Sequence, residues 1–547
     1  MEKRVLLAIA VSFLIIFLYQ WFFAQQQQKT VQPPAKAQSV QQSSKPLASE
    51  EISKNNIKSF YNTNPITGNI ITVTTPLYQA EFSTNNLTVK HWKLLKYSTG
   101  LNKNSGSVDL IGSIPGIVYP MWESFEGSSF SIPSSIYYRC SSSAINVSKN
   151  ARASLSCSYK GNNVDIKKII SFYGNSYTAT VEIEITNLSK NPITERLGIN
   201  WSGLTGELGS KYDISDGILL LNNSRETIEA KSLDLSKSFY NTIDWFGLEN
   251  RYFVQVIITN NDNEKAHLYV ARTKGTIQDN MIPLLFTYIY NPVTIAQNKT
   301  YESTYLVFLG PKDINVLRNA GFNLSKTLYF GWANSIAKLF LYILKFLNNF
   351  IHNYGWTIVI FTILIKIVLF PLGQISYKSM KKMQNLQPKL KEIQEKYKGD
   401  KEKLYRETTS LYRSNKVNPF GGCLPMLIQI PVFIGLYELL LNSIELRQAP
   451  FIWWIKNLSV PDTIAVISLY GEQIGIHVLP LIMGASMFFQ QLLTPMTMDQ
   501  TQTRMLLWIM PIMLTVIFWG LPAGLVLYWT VNNLFSIGQQ YYILKKY

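Results

Sequence analysis

Residues 356–374 read WTIVIFTILIKIVLFPLGQ, an apolar stretch long enough to cross a bilayer, with a single lysine, Lys366, near its middle. A charge at that depth costs roughly 2.5–3.5 kcal/mol on insertion scales. Lys366 lies ~12–15 Å from either end at about 1.5 Å per residue, so its side chain reaches the interface only in part. The stretch therefore predicts a membrane helix whose lysine faces water, protein or an anionic partner.

The composition indicates two different halves around this stretch. The chain has 547 residues, of which 47% are hydrophobic, and a formal net charge of +17. The first ~320 residues are mostly polar with strand-like alternation, whereas the remainder is mostly hydrophobic. Basic residues beside apolar stretches commonly set membrane topology. They show no repeated aromatic interleaving or zinc spacing, so we expect no direct recognition of nucleic acid.

No pattern in the sequence is typical of an active site. There is no metal-ligand spacing, P-loop, nucleophile motif or dinucleotide-binding glycine motif. We therefore expect no catalytic residues, no metal and no cofactor, and we expect that the protein is not an enzyme.

The polar half and its flanks divide into four predicted segments. Residues 1–23 predict an uncleaved transmembrane anchor, because a basic pair precedes an apolar run and no good cleavage site follows. Residues 24–56 are rich in Gln, Ser and Pro and predict a flexible linker. Residues 57–322 alternate short strands with Asn, Gly and Ser turns and predict an all-β domain. Residues 323–353 predict an amphipathic helix in the membrane interface, with an ordinary core helix as the alternative.

Residues 354–547 predict a five-helix membrane core, which gives six transmembrane helices with the anchor. Residues 377–418 hold twelve Lys/Arg against five Asp/Glu, which places this segment in the cytoplasm by the positive-inside rule. An apolar seam there predicts a helical hairpin, and a solvated loop is the alternative. Both termini are then cytoplasmic, and residues 24–355 lie mostly on the other side of the membrane, which is the periplasmic side if the membrane is a bacterial inner membrane. The five core spans are predicted at 356–374, 424–441, 474–493, 505–519 and 523–543.

Polar side chains recur at helical spacing within these spans. They suggest a shared hydrated cavity, although interhelical hydrogen bonds would use the same residue types. Glu438 is the one acid that interrupts a span, and it lies too near the outer end to match Lys366 in depth. We therefore expect an unpaired cation in a wet groove. The candidate groove residues are Lys366, Thr362, Gln429, Trp529, Asn533 and Ser536.

The two cysteines of the polar half could form a disulfide. Cys140 and Cys157 would pair across a hairpin if this half lies outside the cytoplasm. Two buried free thiols agree equally well with the sequence.

Four segments of the hydrophobic half carry a family resemblance. NPFGGCLPMLIQIPVFIGLYELL (418–440), ELRQAPF (445–451), LIMGASMFFQQ (481–491) and PAGLVLYWTVNN (522–533) resemble motifs of the YidC-type membrane protein insertases, the YidC/Oxa/Alb family. An anchor, a large periplasmic domain and five further spans resemble the plan of the Gram-negative form.

The resemblance implies a mechanism without bond chemistry. In this family a groove open to cytoplasm and lipid, with a cationic floor, receives the polar tail of a nascent membrane protein. The attached segment leaves along apolar faces of two spans, and the periplasmic part is a β-supersandwich. By this resemblance the lateral apolar slide consists of Pro425, Ile430, Phe433 and Met510.

The resemblance also implies partners and a location. The location is the bacterial inner membrane, and the partners are nascent membrane proteins, membrane lipids and the Sec translocon. The ribosome and the signal-recognition-particle receptor are expected at the cytoplasmic arm, whose docking residues would be Lys381, Lys382, Lys389 and Lys391.

One departure and two alternatives accompany the resemblance. The groove cation of the family is typically arginine, whereas the matching position here is Lys366. Lysine is a point charge whose pKa can shift when it is buried, whereas arginine stays charged. The alternative functions are a small-solute transporter or channel and a membrane-anchored carbohydrate-active protein that uses the β domain.

Overall fold

The computed structural model describes residues 68–102, 104–112, 119–133, 135–207, 214–240, 242–259, 266–272, 281–415, 417, 424–469, 472–494 and 500–546. The predicted anchor at 1–23 and the predicted linker at 24–56 lie outside these residues.

The first half of the described chain is built from β-strands. In chain order they are Ile70–Thr74 (β1), Tyr78–Ser83 (β2), Val89–Ser98 (β3), Ser107–Asp109 (β4), Trp122–Ser124 (β5), Arg139–Cys140 (β6), Ala144–Asn146 (β7), Arg152–Lys160 (β8), Val164–Tyr173 (β9), Thr178–Asn187 (β10), Ile193–Glu195 (β11), Gly198–Glu207 (β12), Ile214–Leu221 (β13), Ser224–Ile228 (β14), Ser236–Phe239 (β15), Ile243–Glu249 (β16), Phe253–Ile258 (β17), His267–Arg272 (β18), Ile282–Ile289 (β19), Val293–Ile295 (β20) and Thr300–Pro311 (β21).

Two large sheets share these strands. One has the order β4-β3-β2-β1-β7, and the other follows β15-β18-β19-β12-β13-β16-β17-β21-β10-β9-β8-β6, with β5 and β14 pairing beside β12 and β13. Every residue of β19 is buried. In contrast, β10 alternates buried and half-buried residues, which fits a strand with only one face on the core. The prediction of a mostly β domain is thus correct.

The β region nevertheless ends in a helix, so its description as all-β is wrong in detail. Ile314–Ala320 forms a helix, α1. The Asp313 carboxylate accepts hydrogen bonds from the Asn315 and Val316 backbone amides, and Gly321 follows the helix at φ 80°. An aspartate N-cap and a glycine at positive φ are standard signals for the two ends of a short helix.

A disulfide joins Cys140 and Cys157 in the structure. The two residues occupy directly paired positions of β6 and β8. The bond therefore ties a two-residue edge strand to the large sheet.

The second half is helical. After α1 come Asn334–Ile351 (α2), Tyr354–Lys396 (α3), Lys401–Ser414 (α4), Leu424–Asn442 (α5), Val478–Leu493 (α6), Gln500–Phe518 (α7) and Ala523–Lys546 (α8), and a two-stranded hairpin of Thr463–Leu469 (β22) and Glu472–His477 (β23) precedes α6. The helices match the predicted spans in order, but several boundaries differ from the predictions, among them the start of α2, the end of α3 and the start of α6.

The first difference concerns the predicted amphipathic helix at 323–353. Regular α-helix begins only at Asn334, and two short 3-10 turns precede it. Asn323 and Gly331 both adopt positive φ, which an α-helix cannot accommodate. One face of α2 is buried through residues such as Leu341 and Leu344, while Phe350 on the other side is exposed.

The second difference is that α3 does not stop at residue 374. It continues to Lys396 as one helix, with Pro371 and Pro388 inside it. The first arm of the predicted hairpin at 377–418 is therefore an extension of the helix that carries the predicted span 356–374. A turn at 397–400 leads into α4, where the Asp400 side chain caps the Lys403 amide.

The third difference is the start of the predicted span 474–493. Residues 474–477 belong to β23, and the helix begins at Val478. Pro480 favours this boundary, because a proline fits the first turn of a helix, whereas farther inside a helix its ring crowds the carbonyl four residues earlier.

The number of spans remains a prediction. Among the described residues, Tyr354–Lys396 is the one helix that is long and apolar enough to cross a membrane by length and composition. Gln429–Asn442, Val478–Leu493 and Leu507–Phe518 are shorter apolar helical stretches.

Ionic and polar contacts fix the β domain onto the helices. Lys345 of α2 bridges Asp313 at 2.7 Å and Glu445 at 3.0 Å, so one ammonium joins the β domain, α2 and the segment after α5. Arg251 donates to the Leu441 carbonyl, and Arg447 donates to the Ser98 carbonyl at 2.6 Å. The end of α5 and the residues directly after it therefore hold the β domain against the helices.

Candidate hydrophilic groove

Lys366 meets a hydroxyl group rather than a carboxylate. It is half-buried on α3, and its Nζ donates to Ser536 Oγ of α8 at 2.9 Å. Among the described residues no acidic side chain forms an ion pair with it. The site therefore holds an ammonium group whose charge the described residues do not neutralise.

The contact with Ser536 belongs to a polar path across three helices. Ser536 Oγ donates to the Asn532 carbonyl at 2.8 Å, one turn earlier on α8. Gln429 of α5 donates through Nε2 to Asn532 Oδ1 at 3.2 Å and to the Tyr528 hydroxyl at 2.9 Å. The path thus runs from α3 through α8 to α5.

Asn532 and Tyr528 were missed by the sequence analysis. The signal was present, because Tyr528, Asn532 and Ser536 follow one another at four-residue spacing and so lie on one helix face. The predicted groove residues of this helix are instead Trp529, Asn533 and Ser536. Ser536 belongs to both sets, whereas Trp529 and Asn533 lie one residue, or roughly 100°, from Tyr528 and Asn532.

Two residues of that stripe contact other helices. Asn533 is buried, and its Nδ2 donates to Ser486 Oγ of α6 at 3.0 Å. The Trp529 ring meets Phe433 of α5 edge-on at 4.9 Å and also packs on Phe518 of α7. The Trp529 indole nitrogen is buried without a hydrogen-bond partner among the described residues.

Thr362 lies one turn before Lys366 and is buried. Its hydroxyl donates to the Ile358 carbonyl of the same helix at 2.7 Å. In this arrangement the threonine satisfies its own donor within α3 and offers no free hydroxyl hydrogen beside the lysine.

The predicted slide residues fall on α5 and α7. Ile430 is 45% exposed, Phe433 is half-buried against Trp529, and Met510 accepts a contact from Gln491 Nε2 at 3.2 Å. The Pro425 side chain lies outside the described residues. Exposed apolar side chains continue along α7 at Ile509, Ile512 and Val516.

The end of the bundle that faces the β domain is filled by residues 443–462. Leu458 is fully buried, and its carbonyl accepts from the Gly524 amide at 2.9 Å, at the start of α8. Gly355 of α3 is so close to the Phe451 ring that an added Cβ would lie 2.0 Å from a ring carbon. We call this packed end, formed by residues 443–462 and the helix ends that they contact, the domain-facing cap. Lys366 lies deeper in the bundle than this cap.

A polar brace crosses the bundle beyond Ser536. The Gln540 amide donates to the Tyr377 hydroxyl of α3 at 2.9 Å and to Thr494 Oγ1 at 3.1 Å. The polar path and Lys366 thus lie between this brace and the domain-facing cap.

The predicted docking lysines occupy the extension of α3. Lys382, Lys389 and Lys391 are exposed, and Lys381 is half-buried. Three of the four ammonium groups are therefore accessible on the arm formed by α3 and α4.

Comparison with known proteins accounts for the whole of this architecture. Residues 346–547 match the family described as 60Kd inner membrane protein, and residues 70–343 match the YidC periplasmic domain. A protein of Syntrophus aciditrophicus is 36% identical over 569 aligned residues, with 100% of each chain covered. One of Pelobacter propionicus is 34% identical over 558, covering 100% of this chain and 99% of the relative. Both relatives are named membrane protein insertase YidC.

A solved structure gives a further match. The crystal structure of an active YidC insertase with its first transmembrane domain resolved has a TM-score of 0.37 and 20% identity, and the match covers 90% of this chain and 98% of that one. The family consists of insertases of the inner membrane with a mostly β periplasmic domain, not of enzymes. With full-length identity above 30% and both halves matched, the chain belongs to the YidC family of inner-membrane proteins.

Proposed function

We propose that the protein inserts other membrane proteins into the bacterial inner membrane and assists their folding, through a hydrophilic groove floored by Lys366. The observation that carries this proposal is the ammonium of Lys366, which is bound to the Ser536 hydroxyl and has no carboxylate partner among the described residues. An unneutralised cation within a membrane domain is typical of a site that interacts with an anion from elsewhere.

The acidic tail of a nascent membrane protein supplies such an anion. Two opposite charges about 4 Å apart attract by about 4 kcal/mol at an effective dielectric constant of about 20. The polar path from Lys366 through Ser536 and Asn532 to Gln429 also offers hydrogen bonds to a polypeptide tail. Both effects lower the barrier that the tail meets in hydrocarbon.

The transmembrane segment of the substrate leaves sideways along α5 and α7. Ile430, Ile512 and Val516 expose apolar surface there. Phe433 and Met510 lie on the same two helices. Trp529 adds an aromatic wall beside Phe433, and its indole N–H has no hydrogen-bond partner among the described residues. Apolar segments partition from such a surface into lipid without a large penalty.

The domain-facing cap sets the direction of insertion. Since the matched β domain is periplasmic, the packed end at Gly355 and Leu458 faces the periplasm in our proposal. The groove then opens toward the cytoplasm and lipid, the α3–α4 arm is cytoplasmic, and both termini are cytoplasmic. Six transmembrane helices, of which five form the core, agree with this orientation.

The accessible lysines of the α3–α4 arm support a docking role. Lys382, Lys389 and Lys391 present positive charge on a rigid helix that continues directly from the groove. We propose that the ribosome and the signal-recognition-particle receptor bind there, and that some substrates arrive through the Sec translocon.

Reconstitution tests the function. We expect proteoliposomes with the purified chain to insert a newly synthesised single-span protein with an acidic tail, so that the tail becomes protected from external protease. Insertion by empty liposomes is expected to be at least about tenfold lower, which corresponds to a barrier difference of about 1.4 kcal/mol or more. The comparison is made in the absence of Sec components.

A solute channel predicts the opposite pattern in the same vesicles. Flux of small ions or sugars that is abolished by Lys366→Ala, without any protease-protected tail, would contradict the insertase proposal. Heat-denatured protein reconstituted at equal mass controls for leakage.

A further inference from the structure

The hairpin β22–β23 projects without a partner from the domain-facing end of the helical bundle. Ile467 is 49% exposed and Val466 58% exposed, and Ala465 beside them is also exposed. An apolar strand with uncovered faces is a liability in water. The hairpin therefore needs a covering surface that the rest of the described chain does not supply.

The register separates the hairpin into two unlike faces. Ala465 pairs with Ile476, and Val466 pairs with Gly475. Because paired residues share a face and neighbours alternate, Ala465, Ile467 and Ile476 lie on one side, which is apolar up to the Leu469–Glu472 pair at the tip of the hairpin. Val466, Gly475 and Ser468 lie on the other, which is small and more polar.

The base of the hairpin is rigidly fixed. Asp462 precedes β22, and its carboxylate accepts from the Trp454 indole at 2.9 Å and from the Leu479 amide at 2.7 Å, in the first turn of α6. The Trp519 indole donates to the Gly475 carbonyl at 3.1 Å. The start of the hairpin, its return strand and the neighbouring helix ends are thus held in one geometry.

Residues around this base have the composition of a bilayer interface. The indoles of Trp454 and Trp519 form the contacts just described, Trp453 is 83% exposed, and Lys456 is exposed next to them. Tryptophan and lysine concentrate where headgroups meet acyl chains. β23 also passes directly into the apolar helix α6, with no linker between them.

We propose that the hairpin β22–β23 lies in the outer leaflet of the membrane, with its apolar face against the acyl chains. Its seven-residue strand β22 spans about 23 Å, enough to reach beyond one neighbouring helix. The free backbone edges place it at headgroup depth rather than in the hydrocarbon centre, because unpaired backbone groups need water. Bound there, the hairpin fixes the height of the α6 start relative to lipid.

The alternative occupant is a peptide strand that pairs with the edge of the hairpin. Such a strand would bind through backbone hydrogen bonds and would not need an apolar face. The apolar positions Ala465 and Ile467 on one side of the hairpin, and the indoles around its base, favour lipid over such a strand.

Site-specific labelling tests the placement in the full-length chain. Single cysteines at Ile467, Ser468 and Tyr240 are introduced with Cys423→Ser, the native disulfide is kept, and an environment-sensitive fluorophore is attached. The chain is reconstituted in vesicles of phosphatidylethanolamine and phosphatidylglycerol that carry nitroxide lipids. We expect label at position 467 to be quenched at least about twofold more than label at position 240, with position 468 between them.

Equal quenching at positions 467 and 240, with both labels open to an aqueous quencher, would overturn the proposal. A photoreactive residue at position 467 distinguishes the other occupants. Crosslinks to lipid support the proposal, whereas dominant crosslinks to a nascent polypeptide or to a second copy of the chain would refute it. Each variant remains interpretable because the labelled position is an exposed side chain, Cys423→Ser is common to all three variants, and thermal unfolding reports whether the fold is kept.

Discussion

Replacing Lys366 by glutamate is expected to abolish insertion of substrates with acidic tails. The change removes the attraction proposed above and adds repulsion of similar size, so we expect a loss of at least about tenfold. Lys366→Ala removes only the attraction and is expected to give an intermediate loss. Lys366→Arg keeps the charge and is expected to retain most insertion, because the Ser536 hydroxyl can also accept from a guanidinium. The measurement is the protease-protected fraction of an acid-tailed substrate.

The matched control is the same substrate with a neutral tail. Its insertion by the Lys366→Glu chain is expected to fall far less, since no charge attraction is lost. Ser536→Ala serves as a second control, because it deletes one hydrogen bond, worth about 1 kcal/mol, and keeps the charge. Unchanged insertion of the acid-tailed substrate by Lys366→Glu would show that the charge has no role.

The second large effect is expected in the β domain, at a fully buried ion pair. Lys168 of β9 lies 2.7 Å from Glu123 Oε1, and its Nζ also donates to the Met121 carbonyl at 2.8 Å. Burial lowers the pKa of Lys168, and the Glu123 charge opposes this shift. The Tyr305 hydroxyl donates to the same carboxylate at 3.2 Å. The cluster thus balances one buried charge against the other.

Lys168→Met is expected to destabilise the β domain by roughly 3–5 kcal/mol, because it leaves the Glu123 carboxylate buried and unpaired. For a domain of this size the melting temperature falls by about 10 °C. The measurement is thermal unfolding of the full chain in detergent, followed by fluorescence of tryptophans such as the fully buried Trp201 and Trp245.

The double variant Lys168→Met with Glu123→Gln separates charge from packing. Removal of both charges is expected to recover most of the lost stability, since a neutral pair costs far less to bury than one unpaired charge. A double variant as unstable as Lys168→Met alone would assign the loss to packing. A single variant that melts like the unchanged chain would show that the pair does not constrain the fold.

Lys366 could be identified from the sequence, because the free-energy cost of a charged side chain in an apolar helix follows from composition alone. It could not identify the partner of Lys366, since that depends on how α8 is rotated against α3. Asn532 and Asn533 are adjacent and chemically identical, yet one continues the polar path and the other binds Ser486 of α6. Helical spacing gives the faces of a helix, whereas packing decides which face meets which neighbour.

Helix boundaries show the same limit. Pro480 was available in the sequence and is accommodated most easily in the first turn of a helix that begins near Val478, so the wrong start at residue 474 was avoidable. The continuity of α3 through Pro371 was not, because a proline inside a helix normally ends or kinks it. Long-range contacts such as Lys345 with Asp313 and Glu445 leave no local signal at all.

Photocrosslinking from inside the groove tests the central proposal most directly. A photoreactive residue replaces Gln429 or Trp529, and the matched control replaces Val368, which lies close to Lys366 in α3 and is 75% exposed. We predict that a stalled nascent chain with an acidic tail crosslinks to positions 429 and 529 and that Lys366→Glu removes these products, while position 368 crosslinks to lipid. The contradicting result has two parts. The same nascent chain would be inserted and protected from protease, and its crosslinks at positions 429 and 529 would not exceed those at position 368. That result would contradict a groove built around Lys366.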